Sequence, residues 1–497
     1  MSTVTIAKNE TTDVAFQLAM LNRHGLIAGA TGTGKTVTLK VIAEQLSLAG
    51  VPVFLADIKG DLTNLAKEGE VTEKLAVRLD KLGISDYEPQ AFPVRLWDVF
   101  GEQGHPVRAT ISEMGPLLLS RLLGLNDTQT GILNIAFKIA DEKGWLLIDL
   151  KDLQSLLREI AEHDSEYSAV YGNIAKQSVA AIQRSLLVIE QEGGELFFGE
   201  PALDLKDFMS LDEHGQGVIN ILNATKLFQA PTLYATFLLW LLSELYENLP
   251  EVGDLNKPKF VFFFDEAHLL FKDAPKVFVE KIEQMVRLIR SKGVGIFFIT
   301  QNPMDLPETV LAQLGNRVQH ALRAYTPKEI KAVKTAAETF RQNPELDVVT
   351  AITELQVGEA LISLLNEEAQ PTAVERAFVM PPKSSFDVLS ALEVQAIVGN
   401  SPFDEKYREI IDRESAHELL AKKILQEAEA AKQAEERKQL EKEKAALEKA
   451  KAKTASGGGR QRKSTVEKAA DAFLTTAVRT IGRELVRGLF GSLKKRR

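Results

Sequence analysis

The sequence predicts an α/β protein with a mainly parallel sheet covered by helices. Short runs rich in Val, Ile and Phe alternate with longer stretches of helical periodicity, as in parallel strands joined by crossover helices. The runs are apolar throughout, as strands buried on both faces are. The predicted strands are Gly25–Ala28, Pro52–Ala56, Gly217–Leu222, Lys259–Phe264 and Val294–Thr300.

Composition limits the kind of protein further. The chain has 497 residues, enough for about three structural units at about 150 residues per domain. It contains no cysteine, which excludes disulfides, thiol nucleophiles and cysteine-ligated metal sites. Its formal net charge of −9 argues against a surface that is basic all over.

Neither a leader nor a membrane span is predicted. The N-terminal sequence MSTVTIAKNETTD lacks the apolar segment of a signal peptide. The longest apolar stretches, Phe237–Leu242 and Phe260–Phe264, are far shorter than the about 18 residues that a membrane helix needs. We therefore expect a soluble, cytoplasmic protein.

The predicted core is interrupted once. Residues 94–212 show mostly helical periodicity and are predicted to form a large, mainly helical insertion. The insertion divides the core into a first part, residues 1–93, and a second part, residues 213–400. Within the second part, residues 355–380 are predicted to form a final strand pair that closes the domain.

Two further segments follow the core. Residues 401–455 are predicted to form a long charged helix, because 421–453 hold ten basic and seven acidic residues without Pro or Gly. A coiled-coil dimer is the alternative, although the Leu spacing is too irregular for a sustained heptad seam. Residues 456–497 are predicted to form a flexible Gly-rich joint and a basic amphipathic helix.

The basic tail changes how the net charge is interpreted. Residues 456–497 carry eleven Lys/Arg and three Asp/Glu, a net charge of +8, so residues 1–455 carry −17. A basic amphipathic helix suits nucleic acid, the protein's own core or a neighbouring subunit, and a membrane surface or another protein. The sequence leaves these three alternatives open.

A phosphate-binding loop is predicted between the first predicted strand and an apolar helix face. GATGTGKT satisfies the pattern G-x-x-x-x-G-K-[ST] in full, which disfavours an accidental Gly-rich turn and a dinucleotide fingerprint. The glycines let backbone N–H groups point at phosphate oxygens, while the Lys reaches the β- and γ-phosphates and the final Thr completes a Mg²⁺ shell. The predicted ATP-binding residues are Gly29, Ala30, Thr31, Gly32, Thr33, Gly34, Lys35 and Thr36.

Two carboxylates follow the most apolar strand of the chain. Asp265 is predicted to hold Mg²⁺, and Glu266 to orient and polarise the attacking water. The alternative is an acidic helix N-terminus, which an Asp-Glu pair would also serve. With Ala267 and His268 the pair spells the DEAH box of a helicase class with two ATPase lobes, but no second lobe is found, so His268 is expected to have a packing or local hydrogen-bonding role.

Polar residues end two other predicted strands. Gln301 is predicted to sense the γ-phosphate or the attacking water, with Thr300 as second choice, and a turn residue is the alternative. Asp57 either supports the water shell of Mg²⁺ or caps a turn. Downstream, Arg317 and Arg323 are candidates for an arginine that enters a neighbouring subunit's site, against the alternative of ordinary surface arginines.

Together these motifs resemble the HerA/FtsK superfamily of P-loop motor ATPases, more narrowly HerA-like bacterial proteins of the YjgR type. The resemblance covers about residues 5–385 and rests on six motifs: GATGTGKT (29–36), DIKGD (57–61), FFFDEAHLLF (262–271), GIFFITQNP (295–303), LGNRVQHALRA (314–324) and GEALIS (358–363). The N-terminal β-barrel of archaeal HerA and the membrane spans and winged helix of FtsK are not found in the sequence. The absence of these domains from the sequence concerns the predicted DNA role and leaves the prediction of ATP hydrolysis unchanged.

The resemblance implies a RecA-like core, ATP hydrolysis, ring-shaped hexamers and translocation along DNA. It assigns nucleotide and Mg²⁺ binding to Lys35 and Thr36, the catalytic carboxylate to Glu266, the sensor to Gln301, and the trans-acting arginine to Arg317 or Arg323.

Three functional hypotheses follow. The first is a Mg²⁺-dependent ATPase motor, hexameric and acting on DNA. The second is a nucleotide-gated ring or scaffold that recruits a partner without translocation. The third and weakest is a monomeric DEAH helicase. The sequence leaves open whether a nuclease or another protein works with the chain.

Overall fold

The computed structural model describes residues 2–271 and 276–455. These residues contain one large sheet with helices, which confirms the predicted α/β class. The strands, in chain order, are β1 (Thr3–Lys8), β2 (Asp13–Gln17), β3 (Gly25–Ala28), β4 (Val53–Asp57), β5 (Val94–Asp98), β6 (His105–Pro106), β7 (Ile219–Asn223), β8 (Phe260–Phe264), β9 (Val294–Thr300), β10 (Asn316–Gln319), β11 (Glu359–Ser363) and β12 (Glu375–Val379).

The sheet is parallel over most of its width. Its strand order is β2-β1-β12-β11-β10-β3-β9-β8-β4-β7-β5-β6. The strands from β10 to β6 in this order run parallel, whereas β11, β12, β1 and β2 pair antiparallel at one edge. Because β3, β9, β8 and β4 are consecutive neighbours, the residues that follow them meet at one edge of the sheet.

All five predicted parallel strands are present, with ends shifted by no more than two residues. Their continuous apolar character is explained by two cores, one on each face of the sheet. In β3, Leu26 belongs to one core and Ile27 to the other, and Phe54 and Leu55 of β4 divide in the same way. The predicted final strand pair is also present, as the antiparallel strands β11 and β12.

The described helices are α1 (Lys35–Leu48), α2 (Glu73–Lys81), α3 (Ile111–Leu122), α4 (Asp127–Lys143), α5 (Leu150–Glu162), α6 (Asp164–Tyr171), α7 (Lys176–Gln191), α8 (Gly194–Phe197), α9 (Pro231–Asn248), α10 (Lys276–Leu288), α11 (Glu308–Leu311), α12 (Pro327–Glu338), α13 (Val348–Glu354), α14 (Ala391–Gly399), α15 (Asp404–Arg408) and α16 (Ala416–Ala455). Among the described residues, no helix is both long enough and apolar enough to cross a membrane.

The segment predicted as a mainly helical insertion, residues 94–212, begins with two strands. β5 and β6 extend the parallel sheet beyond β7, and the helices α3 to α8 follow. The sequence of β5, VRLWD, lacks the signal of a strand buried on both faces because it contains the charged residues Arg95 and Asp98. Trp97 of β5 is fully buried in the same core as the helices.

The charged C-terminal segment is helical over part of its predicted range. α16 begins at Ala416, and residues 401–415 contain only the short helix α15. Residues up to Ala421 belong to one compact unit. Residues 424–449 are exposed throughout, as expected of a helix with alternating charges. The predicted Gly-rich joint and basic helix, residues 456–497, lie outside the described residues.

Candidate active site

The loop between β3 and α1 has the conformation that a phosphate cradle requires. Gly32 and Gly34 have φ angles of 77° and 118°, a left-handed region that residues with a Cβ rarely enter. A Cβ at Gly34 would also lie 3.2 Å from the Cα of Gly358. Both positions therefore favour glycine for backbone conformation, and Gly34 favours it for close packing as well.

The side chain of Lys35 folds back over the loop. Its ammonium donates hydrogen bonds to the carbonyl oxygens of Gly29, at 2.7 Å, and Ala30, at 3.2 Å. Thr33 Oγ1 donates to the same Ala30 carbonyl at 2.7 Å. Burial lowers the pKa of Lys35, and the negative charge of Glu266 partly offsets that effect. The loop thus holds a cation close to its own backbone.

His320 lies beneath the loop and had no predicted role. Its Nδ1 donates to the carbonyl oxygen of Glu359 at 2.9 Å, and its Nε2 accepts from Thr38 Oγ1 at 2.8 Å. Because a carbonyl can only accept, the first contact fixes the proton on Nδ1. Burial lowers the pKa of His320 to about 4, so the imidazole is neutral at neutral pH. The motif LGNRVQHALRA contains it, and its place directly after β10 was the available signal.

The acidic pair lies at the carboxyl end of β8, as predicted. Asp265 Oδ1 accepts a hydrogen bond from the backbone N–H of Glu266 at 2.9 Å. Glu266 has a φ angle of 47°, an uncommon conformation for a residue with a Cβ. It precedes a short 3₁₀ turn, Ala267–Leu270, but its side chain makes no capping hydrogen bond to that turn. The geometry therefore disfavours the helix N-terminus alternative.

The carboxylate of Glu266 is held from both sides. Lys59, which follows β4, places its ammonium 2.9 Å from Oε1 and 3.8 Å from Asp265 Oδ2. Gln301, which follows β9, donates its amide N–H to Oε2 at 3.2 Å. Burial raises the pKa of Glu266, but the hydrogen bond and charge of Lys59, with the Gln301 amide, outweigh it and lower that pKa overall.

Lys59 is thus a site residue that sequence reasoning missed. The motif DIKGD contains it, and its place just after a parallel strand was the available signal. His268 is also near, with Nδ1 at 3.5 Å from Glu266 Oε2, but that nitrogen makes no hydrogen bond within the described residues.

Comparison with known proteins decides the family. A family model described as "Helicase HerA-like C-terminal" matches residues 3–497. The chain belongs to the HerA-like helicase family. The predicted resemblance to HerA/FtsK-type motor ATPases is therefore confirmed.

Curated relatives agree with this assignment. The HerA-like chain is 24% identical over 361 residues to the DNA double-strand break repair helicase HerA of Sulfurisphaera tokodaii, and 23% identical over 370 residues to that of Sulfolobus acidocaldarius. Each alignment covers 70% of this chain and 64% of the relative. The chain thus spans just under two thirds of the length of these relatives.

Solved structures share the fold. The plasmid coupling protein TrwB, in complex with the non-hydrolysable ATP analogue ADPNP, aligns with a TM-score of 0.50 at 15% sequence identity. The alignment covers 79% of the HerA-like chain and 92% of TrwB. This similarity confirms a P-loop ATPase fold of the RecA-like type.

Two other polar residues of the HerA-like chain have structural contacts instead. Both oxygens of Asp57 accept backbone N–H groups, from Gly60 at 2.7 Å, Asp61 at 3.3 Å and Leu62 at 2.9 Å. Asp57 therefore organises the turn that carries Lys59. Thr300 is fully buried, and its hydroxyl lies 3.4 Å from the Asn302 carbonyl, so Gln301 and not Thr300 contacts the acidic pair.

The two candidate arginines differ in how they are held. The guanidinium of Arg317 donates to the carbonyl oxygens of Leu314, Leu311 and Thr339 at 3.0, 3.0 and 3.4 Å. Arg323 is exposed. Within residues 2–271 and 276–455, neither arginine makes a hydrogen bond or ion pair with the phosphate-binding loop or the acidic pair.

The residues present suit a Mg²⁺ ion. Thr36 is the second residue of α1, and Asp265 is buried at the end of β8, two strands from β3. Hydroxyl and carboxylate oxygens are the donors that Mg²⁺ prefers. Oδ1 of Asp265 accepts the Glu266 N–H, and Oδ2 has the Lys59 ammonium at 3.8 Å and no hydrogen bond within the described residues, so Oδ2 can still accept one from a Mg²⁺-bound water.

Proposed function

We propose that this HerA-like protein is a Mg²⁺-dependent ATP hydrolase that works as a homo-hexameric DNA translocase or helicase. The observation that carries hydrolysis is the carboxylate of Glu266, ionised and held by Lys59 and Gln301 at the sheet edge that also bears the phosphate-binding loop. A group in that place can accept a hydrogen bond from water that attacks a bound γ-phosphate.

Each residue has a separate task in this scheme. The backbone N–H groups of the loop and Lys35 bind the phosphates, and Glu266 orients the attacking water. Gln301, next to Glu266, reports on the γ-phosphate. Thr36 and Asp265 would hold Mg²⁺, which supplies neutralisation of phosphate charge.

DNA and the hexamer are supported by different observations. The curated relatives named above are DNA double-strand break repair helicases. The exposed position of Arg323 suits a guanidinium that acts in a neighbouring subunit's site, whereas Arg317 is already engaged by three carbonyls of its own chain. We therefore propose Arg323 before Arg317 for the trans-acting role.

A nucleotide-gated ring or scaffold is the second candidate. The exposed stretch 424–449 of α16 has the length and mixed charge of a helix that recruits another protein, such as a nuclease. In that case ATP would close a ring without movement along DNA.

ATP hydrolysis by purified protein, measured without DNA and with single- and double-stranded DNA, tests the proposal. Lys35→Ala is expected to abolish nucleotide binding, because no other side chain of the loop carries a positive charge to neutralise the phosphates. Glu266→Gln is expected to bind ATP and lose turnover by about 10²- to 10⁴-fold. Full hydrolysis by Glu266→Gln would show that the catalytic assignment is wrong.

A strand-displacement assay then separates the two candidates. ATP-dependent displacement excludes a pure scaffold, whereas DNA-independent hydrolysis without displacement excludes the motor. A sedimentation mass six times the 54.9 kDa of one chain supports the hexamer and excludes a monomeric helicase.

A further inference from the structure

Between β10 and β11 the chain leaves the sheet and forms a small substructure of its own. This excursion, residues 320–358, contains α12 and α13. Its helices enclose a separate apolar cluster that includes Val333, Phe340 and Ile352. The same cluster includes Leu361 of β11 and Val374, so the excursion packs against the antiparallel edge of the sheet.

Both ends of the excursion are bonded to the phosphate-binding loop. At its start, the carbonyl oxygen of Ala321 accepts the backbone N–H of Ala30 at 2.8 Å. At its end, the backbone N–H of Gly358 donates to the carbonyl oxygen of Thr33 at 3.0 Å. A force on the excursion thus reaches the loop at two points.

The outer face of α12 is basic. Lys328, Lys331 and Lys334 are exposed, while Val333, Ala336 and Ala337 belong to the apolar cluster. Within the part of the chain that the structure describes, none of the three lysines is in an ion pair. Their charge is therefore available to a partner.

The excursion carries no net charge overall, so its positive charge is a property of the outer face of α12. Residues 320–358 hold five Lys/Arg and five Asp/Glu. One of the acidic residues, Glu329, is used locally, because its carboxylate accepts the backbone N–H groups of Tyr325 and Thr326 at 2.9 and 2.8 Å. Tyr325 itself is 81% exposed, which places an aromatic ring beside the lysines.

Some other cations of the described surface are paired with carboxylates, unlike the three lysines of α12. On and beside α10, Lys276 lies 3.7 Å from Glu280, and Arg290 lies 3.7 Å from Asp254. An unpaired row of lysines with a neighbouring exposed tyrosine is the pattern that binds a phosphate backbone and stacks or hydrogen-bonds beside it.

We propose that the outer face of α12, with Tyr325, contacts the phosphodiester backbone of DNA, and that this contact is transmitted to the phosphate-binding loop through Ala321 and Gly358. The transmission to ATP hydrolysis rests on the proposed function. The contact itself does not, since it needs only the charge and exposure of these residues. Lysines act here as point charges, so binding is independent of base sequence.

The test is a triple variant of the full chain, Lys328→Gln, Lys331→Gln and Lys334→Gln. Gln has nearly the helix propensity of Lys, so α12 is expected to remain folded. Binding of a labelled duplex, titrated over a series of salt concentrations, is expected to lose about 0.9 per lysine from the slope of log K against log salt, about 2.7 in all. DNA stimulation of ATP hydrolysis is expected to disappear, while hydrolysis without DNA stays unchanged.

A matched control removes the same charge elsewhere. Lys74, Lys151 and Lys206 are exposed on other parts of the body, and their replacement by Gln is expected to leave the salt slope as in the wild type. Replacement of the three α12 lysines by Arg keeps the charge and is expected to retain both the slope and the stimulation. A Tyr325→Ala variant, compared on single-stranded and duplex DNA, shows whether the ring stacks on bases, in which case only single-stranded binding weakens.

Three results would overturn the proposal. The first is an α12 Gln variant with the wild-type salt slope, and the second is a wild-type chain that binds no DNA. The third is an α12 Gln variant that binds DNA like the wild type but has a different sedimentation mass. This result would assign the face to contact with a second copy of the chain. Absence of ATP hydrolysis in the wild type would contradict the proposed function but not the DNA contact.

Discussion

The ammonium of Lys59 lies 2.9 Å from Oε1 of Glu266, although 206 residues separate them in the chain. The contact exists because β4 and β8 are neighbours in the sheet. Since β9 and β3 lie on the other side of β8, Lys59 holds the carboxylate from the side away from the phosphate-binding loop.

We expect Lys59→Met to lower kcat about 10- to 100-fold with little change in nucleotide binding, because Glu266 loses the partner that orients it. Lys59→Arg retains the charge and is expected to recover most of the activity. Since Lys59 lowers the pKa of Glu266, its removal raises that pKa, and the acid limb of the pH–rate profile moves to higher pH. Lys67→Met, at an exposed pair with Glu393, is the control and should behave as wild type.

Gln301 and Thr300 are expected to differ when substituted. Gln301→Ala removes the amide that holds Oε2 of Glu266 and should lower kcat with nucleotide binding retained. Thr300→Val keeps the volume of a fully buried side chain that does not contact the acidic pair, so its kcat should stay near that of the wild type. Steady-state ATPase kinetics and a fluorescent-nucleotide titration measure the two effects. Equal losses in both variants would contradict the assignment of the sensor to Gln301.

Alanine variants of the two candidate arginines are expected to differ in their free energy of unfolding. Arg317→Ala removes a guanidinium bonded to three carbonyls and should lower the free energy of unfolding by about 2 kcal/mol. Arg323→Ala affects an exposed side chain and should leave stability unchanged while reducing hydrolysis. Urea unfolding measures the first effect.

An experiment with mixed subunits tests the role of Arg323 in ATP hydrolysis. Arg323→Ala subunits combined with Glu266→Gln subunits are expected to recover part of the activity, because an intact arginine can then serve an intact site in the neighbour. No recovery in the mixture would argue that Arg323 acts within its own chain or not at all.

Three buried histidines predict that the protein loses stability in acid. Burial lowers the pKa values of His24, His105 and His320 to about 4 each, against about 6.5 in the unfolded chain. Between these values the unfolded chain binds more protons, so stability is fully present above about pH 6.5 and is lost as the pH falls towards 4. Each histidine accounts for about 3 kcal/mol over that window.

Urea unfolding at a series of pH values checks this expectation. A His320→Gln variant should show a shallower dependence on pH than the wild type, because one of the three titrating groups is gone. An unfolding free energy that does not change between pH 6.5 and 4 would contradict the burial of neutral imidazoles.

The candidate phosphate-binding loop, the acidic pair and the parallel strands are predictable from the amino-acid sequence alone. These features are local: the loop is one run of eight residues, and a strand buried on both faces is apolar throughout. Asp265, Glu266 and Gln301 are predicted as site residues because a polar residue directly after such a strand lies at the carboxyl edge of a parallel sheet, and the structure brings Glu266 and Gln301 into contact.

Which residues meet at that edge is visible only in the folded chain. The ion pair of Lys59 with Glu266 depends on the order of strands, and the hydrogen bond of Thr38 with His320 joins residues 282 positions apart. Likewise, Arg317 and Arg323 are alike in sequence but differ in exposure, since Arg317 donates to three backbone carbonyls of its own chain and Arg323 is exposed. Periodicity carries no information about such pairings, because strand order and side-chain packing are set by contacts between distant segments.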